Sequence, residues 1–396
     1  MKRAQGTRAC SNARRVRTWL CSSPSEARVT ARISVFKRLY SRIHASASLT
    51  RSKNGLPSRR DDDIQANNSG KQRNTMKEVR VRIPKGCDPF VNARLISLGL
   101  GAGGRERFWI SSCNGGQGSM GIVIDEEGDY RLYRLNKPSI QYCYTAAPEN
   151  DDVLWLSVGL ARVARLDLRT GAYKMFDTGA GSAFVCCGGK LDQATGKFFA
   201  LGDYGDTGGT TAVSFDIKTK KAVVYRDVVP DKYMYTCYRT GDGSYTGLVV
   251  CPGMSLVRWD PRKETLVREQ SFEQGPSVCI VDDQERPYFP GRGWYDFKTR
   301  TFAADGPKPE REAAWFERQG NLAIGCEDDP ISGAIVYAWD MATGKVRRVT
   351  AIPICYAQGI TVTRSGKLVS FNIFGEFRRH DISTGRLDLY RRPPTD

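Results

Sequence analysis

The sequence predicts an all-β protein, a seven-bladed β-propeller of four-stranded blades. One phrase recurs seven times: alternating apolar residues, an aspartate, a tight turn often reading x-x-Thr-Gly, then a second short strand. Its aspartates are Asp125, Asp167, Asp216, Asp260, Asp296, Asp340 and Asp381, spaced by 42, 49, 44, 36, 44 and 41 residues. Between them the chain reads as strands of about 5–8 residues separated by Gly, Asn, Asp and Pro clusters. A repeat of about 43 residues built only from strands is one propeller blade.

Residues 1–75 stand apart from these repeats. They carry 17 Lys/Arg against 4 Asp/Glu, a net +13 of the chain's +17. Val29, Ile33, Phe36, Leu39, Tyr40 and Ile43 recur at helical spacing, and Arg28, Arg32, Arg38 and Arg42 keep the same period on other faces. Such a basic amphipathic helix in an acid-poor, Ser-rich leader resembles a mitochondrial presequence, which would send the protein to the matrix. Met76, directly before the strand-like EVRVRIP, offers an alternative start, from which a cytoplasmic protein is expected. Residues 76–396 form the propeller, with EVRVRIP either closing the ring or lying outside it.

Composition narrows the function classes. Beyond residue 75 the net charge is only +4, too little for a bulk field that attracts a phosphate backbone, so nucleic acid is not an expected partner. No apolar stretch approaches the roughly 20 residues that span a bilayer, and no secretory signal pattern is present, so no membrane partner is expected.

Each blade divides into four strands, most clearly SIQYCYTA, DVLWLSV, LARVARLDL and AYKMFDT in the second. The third and fourth form a hairpin whose aspartate caps backbone N–H groups, while Gly171, Gly344 and Gly385 supply left-handed backbone. Lys220, Glu264 and Arg300 replace that glycine, so their turns are expected to differ. The aspartates are structural on this reading. Cys143, Cys186, Cys237 and Cys279 occupy matching places on first strands beside the channel, as buried small apolar residues and free thiols. No Cys-x-x-Cys or Cys/His cluster proposes zinc, and no metal site is expected from one.

The turn phrases LDLRTGAY, WDMATGKV and HDISTGRL resemble the repeats of quinoprotein-type propellers and of the virginiamycin B lyase-like and gluconolactonase-like groups. The resemblance implies the propeller architecture. Quinone-dependent members have eight blades and a tryptophan docking each repeat. This chain counts seven and has no tryptophan after the turn, so no quinone is expected. The lyase-like group uses a channel histidine as base, whereas the propeller's one histidine, His380, lies beside Asp381 on a third strand away from the mouth.

Propeller ligands bind where the second-to-third-strand turns and the blade-to-blade loops meet the channel. The sequence places Gln141, Tyr142, Gln274, Tyr356, Gln358 and Asn372 there as substrate-binding candidates, with Ser111, Asn114, Tyr204 and Glu327 nearby. Tyrosine faces stack on sugar rings and amides pair with hydroxyls, which suits a carbohydrate or carboxylated small molecule. Tyr235 or Tyr238 is the candidate proton donor or acceptor, and Arg239 or Arg292 would hold a carboxylate or the resulting anion. Strand alternation puts 235 and 239 on one face and 238 on the other. The acidic loops at Asp203/Asp206 and Asp328/Asp329 carry oxygen donors suited to Ca²⁺ but lack a complete ligand spacing. The expected function is a lyase or hydrolase at the channel mouth; the alternative is a non-catalytic scaffold with a protein partner.

Overall fold

The computed structural model describes residues 78–82, 94–111, 119–135, 145–159, 161–181, 184–203, 209–230, 233–239, 243–250, 254–273, 279–329, 333–352, 359–372 and 375–382. The leader therefore lies outside the described residues. Residues from Gln72 to Asp396 form one compact unit.

Among the described residues every named element of this unit is a strand. The first, β1, is Glu78–Arg80. Blade one holds β2 (Arg94–Leu100), β3 (Glu106–Ser111), β4 (Ser119–Asp125) and β5 (Tyr130–Leu135). Blade two holds β6 (Thr145–Asn150), β7 (Val153–Val158), β8 (Arg162–Asp167) and β9 (Tyr173–Asp177). Blade three holds β10 (Phe184–Asp192), β11 (Lys197–Asp203), β12 (Thr211–Asp216) and β13 (Ala222–Tyr225). Blade four holds β14 (Tyr233–Arg239), β15 (Tyr245–Val250), β16 (Met254–Asp260) and β17 (Thr265–Phe272). Blade five holds β18 (Tyr288–Phe289), β19 (Gly293–Asp296) and β20 (Thr301–Phe302). Blade six holds β21 (Ala314–Gln319), β22 (Leu322–Asp329), β23 (Gly333–Asp340) and β24 (Val346–Ile352). Blade seven holds β25 (Ile360–Val362), β26 (Lys367–Phe371) and β27 (Glu376–Asp381).

All seven sheets are antiparallel meanders, and β1 completes the last in the order β1-β27-β26-β25. EVRVRIP therefore closes the ring: Val79 lies opposite Phe377 and Arg80 opposite Glu376. One feature departs from the expectation of four strands throughout. Among the described residues blade five has three, and its inner segment shows a single bridge between Val281 and Pro287. The cause is length, because 36 residues separate Asp260 from Asp296, the shortest step in the chain.

Strand alternation builds the core. Successive side chains on a strand face opposite sides of the sheet, so neighbours enter different inter-blade interfaces. Phe108 packs between blades seven and one, while Trp109 packs between one and two. Phe198 and Phe199 divide in the same way, and Phe199 stacks on Trp259 of blade four at 4.3 Å. Seven separate clusters result, one at each interface. Truncating one such buried tryptophan to alanine would cost about 3–5 kcal/mol.

The repeated aspartates from Asp125 to Asp340 cap their turns as expected, and the turn after Asp381 lies outside the described residues. Asp167 Oδ1 accepts the N–H groups of Arg169 and Thr170, both at 2.9 Å. Asp216 and Asp260 do the same for the residues two and three positions on. The Thr170 N–H holds the Asp167 carboxyl below the usual carboxylate range. The expectation that Lys220, Glu264 and Arg300 would give different turns is overturned. Their φ angles are 62°, 51° and 59°, in the same left-handed region as Gly171 and Gly344 at 77°. The aspartate cap and the ladder on either side impose the turn even without glycine, at a cost of about 1–2 kcal/mol in an L-residue.

Of the predicted first strand of blade two, SIQYCYTA, the described residues hold Thr145 and Ala146, which lie on β6, and Cys143 lies outside them. Cys186 and Cys237 lie on the inner strands β10 and β14 as expected, and Cys279 precedes the Val281 bridge as a free thiol.

Candidate functional site at the central channel

First strands line the channel, and most of them carry a β-bulge. Two sets of turns leave each blade: second-to-third-strand turns and blade-to-blade loops at one end, the remaining two turns at the other. Most of the end expected to bind ligand lies outside the described residues, including Asn114, Gln141, Tyr142, Tyr204, Asp206, Gln274, Tyr356 and Gln358. Asp203 ends β11 there.

The remaining predicted residues fall as follows. Tyr235, Tyr238 and Arg239 lie on β14, with Tyr238 opposite Thr246 and Arg239 opposite Tyr245. Tyr235 is the extra residue of a bulge between Met234 and Thr236, so simple alternation does not carry across it. Arg292 sits exposed on the turn between β18 and β19, its guanidinium 5.8 Å from the Phe302 ring centre. Asp328 and Asp329 are not loop residues: both extend β22, opposite Ala334 and Gly333. Glu327 accepts from Arg311 Nη2 at 2.6 Å. Among the described residues, no group of three or more His, Cys, Asp or Glu converges as metal ligands would.

Asn372 is buried and committed to a neighbour. Its Nδ2 donates to Glu376 Oε2 at 2.7 Å, and its Oδ1 accepts the Glu376 N–H at 3.0 Å. Glu376 also accepts from Arg80 Nη2 at 2.8 Å and Arg378 Nη2 at 3.2 Å. This network ties the closing strand β1 to β27. Burial pushes the phenols of Tyr133, Tyr225, Tyr288, Tyr295 and Tyr337 up, the direction opposite to that of a tyrosine base. His380 is buried on the third strand, as expected, and burial lowers its imidazole to about 4.

Chemistry that the sequence did not single out gathers at the other end of the channel. Glu106, at 3% exposure, accepts Ser97 Oγ at 2.6 Å and the Arg364 N–H at 2.7 Å, joining blades one and seven. Arg379 adds an ion pair to Glu127 and holds that carboxyl below its usual range. Glu317 on β21 accepts Thr361 Oγ1 of blade seven at 3.1 Å. Burial pushes the Glu317 carboxyl up and Glu106 pushes it further, while the Thr361 hydroxyl, the Arg318 N–H and Lys190 oppose them. Beside it, where blade five lacks a regular inner strand, a cleft of about 310 Å³ opens between Cys279–Asp283 and Phe316–Gly320. Burial pushes the Cys279 thiol there up to about 12, so it is no nucleophile near neutral pH. The signals for this site are present in the sequence: the short fourth step, from Asp260 to Asp296, and an acid within the inner strand AWFERQ.

The third-to-fourth-strand turns at this same end carry a second pattern. On blades two to six they expose Arg169, Lys218, Lys221, Arg262, Lys298, Arg300 and Lys345. Blade one reverses the sign with Glu126 and Glu127. The turns nearer the axis carry both signs, with Asp151 and Asp152 on blade two and Asp283 on blade five but Arg105 on blade one and Arg364 on blade seven.

The fold and these surfaces define a seven-bladed propeller with a closed ring and a charged face. No family model and no curated protein matches this chain. A chain in the crystal structure of the mitotic checkpoint complex superposes with a TM-score of 0.54 at 9% identity, covering 83% of this chain and 98% of that one. The Dos1 propeller gives 0.50 at 13% identity over 75% and 81%. Virginiamycin B lyase from Staphylococcus aureus gives 0.49 at 12% identity over 77% and 98%. At these identities the likeness is one of architecture.

Proposed function

We propose that this propeller is a non-catalytic protein-interaction platform, binding through the face that carries the third-to-fourth-strand turns. The observation that carries the reading is the run of exposed basic residues on the outer turns of five consecutive blades of that face. Lys218, Lys221, Arg262, Lys298 and Lys345 belong to no ion pair among the described residues. Unpaired exposed cations in such an arc attract and orient an acidic partner surface over about a Debye length, roughly 8 Å at physiological salt. The chain in the mitotic checkpoint complex supports the reading by analogy of architecture only.

The test is cross-linking of the full chain in its native extract, compared with a Lys218→Glu/Lys221→Glu/Lys298→Glu variant. Cross-links to one partner should map to these turns, weaken as salt rises, and vanish in the variant while its melting temperature holds. A partner retained equally by the variant defeats the proposal.

A lyase or hydrolase acting on a polar small molecule is the second reading, and Glu317 favours it. A carboxyl that burial pushes upward beside a cleft is shifted in the direction a general acid needs. Turnover of a uronate-containing sugar that is lost in Glu317→Gln would favour this reading over the platform.

A further inference from the structure

The cleft between blades five and six has three carboxylates on its walls, and two are already satisfied. Asp282 Oδ2 pairs with Arg286 Nε at 2.7 Å, and its Oδ1 accepts two backbone N–H groups. Asp283 pairs with Arg318 Nη2 at 2.8 Å. The rest of the Arg318 fork is spent on the carbonyls of Gly320 and Val281, at 2.8 and 3.2 Å. Glu317 is the third. No cation lies within ion-pair distance of it among the described residues; its partners are the neutral Thr361 hydroxyl and the Arg318 N–H, with Lys190 acting on it from farther off and Glu106 opposing it. A carboxylate so placed is costly to ionise unless a positive charge arrives.

The space beside it suits one side chain. Sites for small molecules run to about 300–1,000 Å³, and this cleft stands at the lower limit. Phe316 and Ile280 give it apolar walls that can hold a methylene stem, while Glu317 can meet a charged head. The ligand is not a metal ion on this geometry, because these carboxylates do not converge on a common point.

We infer that this cleft receives one cationic side chain, the ammonium or guanidinium of a lysine or arginine, with Glu317 as its counter-ion. The inference rests on the platform reading only for the molecule that carries the cation: a partner whose acidic surface meets the outer turns and whose basic residue enters the channel. A cation beside Glu317 also favours its ionised form, against the burial and the Glu106 charge that raise it, so wherever the free carboxyl still holds its proton complex formation releases it and affinity rises with pH.

The experiment titrates the full chain calorimetrically with N-acetyl-arginine amide, N-acetyl-lysine amide and, as the neutral control, N-acetyl-glutamine amide. Each titration is run at pH 5.5 in two buffers of different ionisation enthalpy. The expected result is saturable binding of both basic amides, none of the neutral one, and proton release seen as a buffer-dependent heat. Glu317→Gln should weaken binding at least tenfold with an unchanged melting temperature. No saturable binding of either basic amide up to roughly 20 mM, or equal binding by a folded Glu317→Gln variant, overturns the inference. The three-probe comparison on the unaltered chain decides the matter even where the variant fails to fold. The two proposals fail separately: amide binding without cross-links to the outer turns sinks the platform alone, and cross-links without amide binding sink the cleft alone.

Discussion

His380 should make the propeller acid-sensitive, with a magnitude that follows from its burial. The side chain lies on β27 opposite Leu368 at 6% exposure, and neither ring nitrogen has a hydrogen-bond partner. Burial, with Arg378 adding repulsion, lowers the folded imidazole from 6.5 to about 4. The sign follows directly. Between these values the unfolded chain binds a proton that the folded one refuses, so stability is full above about pH 6.5 and falls as pH drops toward 4. At pH 4.5 the linkage amounts to about 2.5 kcal/mol relative to pH 7. The assay is urea denaturation of the native chain and of His380→Leu at pH 7.5, 6.5, 5.5 and 4.5. Carboxylates titrate in both, so the difference between the two curves isolates His380. Near neutral pH the variant should match or exceed the native chain by about 1–3 kcal/mol, because unsatisfied buried nitrogens are removed. With only two histidines in the sequence, His44 and His380, imidazole NMR can read the folded titration directly. Parallel curves, or a His380 signal titrating near 6.5, would refute the argument.

Arg300→Gly should stabilise the protein by about 0.5–1 kcal/mol by relieving its left-handed backbone, offset in part by unfolded-state entropy. Lys220→Gly should gain less, because it also removes the ammonium lying 4.8 Å from the Trp155 ring centre; chemical denaturation ranks the two. Asn372→Ala leaves the buried Glu376 short of a donor and should cost about 1–3 kcal/mol; a loss below 0.5 kcal/mol, roughly the range of ordinary surface substitutions, contradicts the network described. A chain started at Met76 should unfold with a sharp thermal transition. One started beyond Pro84 lacks β1 and the core residue Val81, and should melt lower and more broadly by circular dichroism.

The parts legible in the sequence are those governed by short-range chemistry. The aspartate of LDLRTGAY caps its own next residues, and the Phe108-Trp109 pair divides between two faces because a strand has period two. Both facts are local, so repeat count, turn positions and core residues could be read without a structure. The reading failed where context overrides local preference. Lys220, Glu264 and Arg300 take the glycine conformation because the capped hairpin imposes it. Tyr235 left the expected alternation because inner strands bulge as they bend around the axis.

The sequence by itself determined the ring: seven turn phrases, six of them seen closing their own hairpins, leave a chain of strands that buries its apolar faces only by stacking blade on blade. Only the tertiary structure decided what faces the channel. Glu106 meets Arg364 across 258 residues, and Glu317 meets Thr361 across 44. No local pattern specifies such pairs, because their partners come together only when successive blades stack and β1 closes the circle. The cleft arises the same way, from a 36-residue step too short to supply a regular inner strand in a ring that the other six blades keep closed.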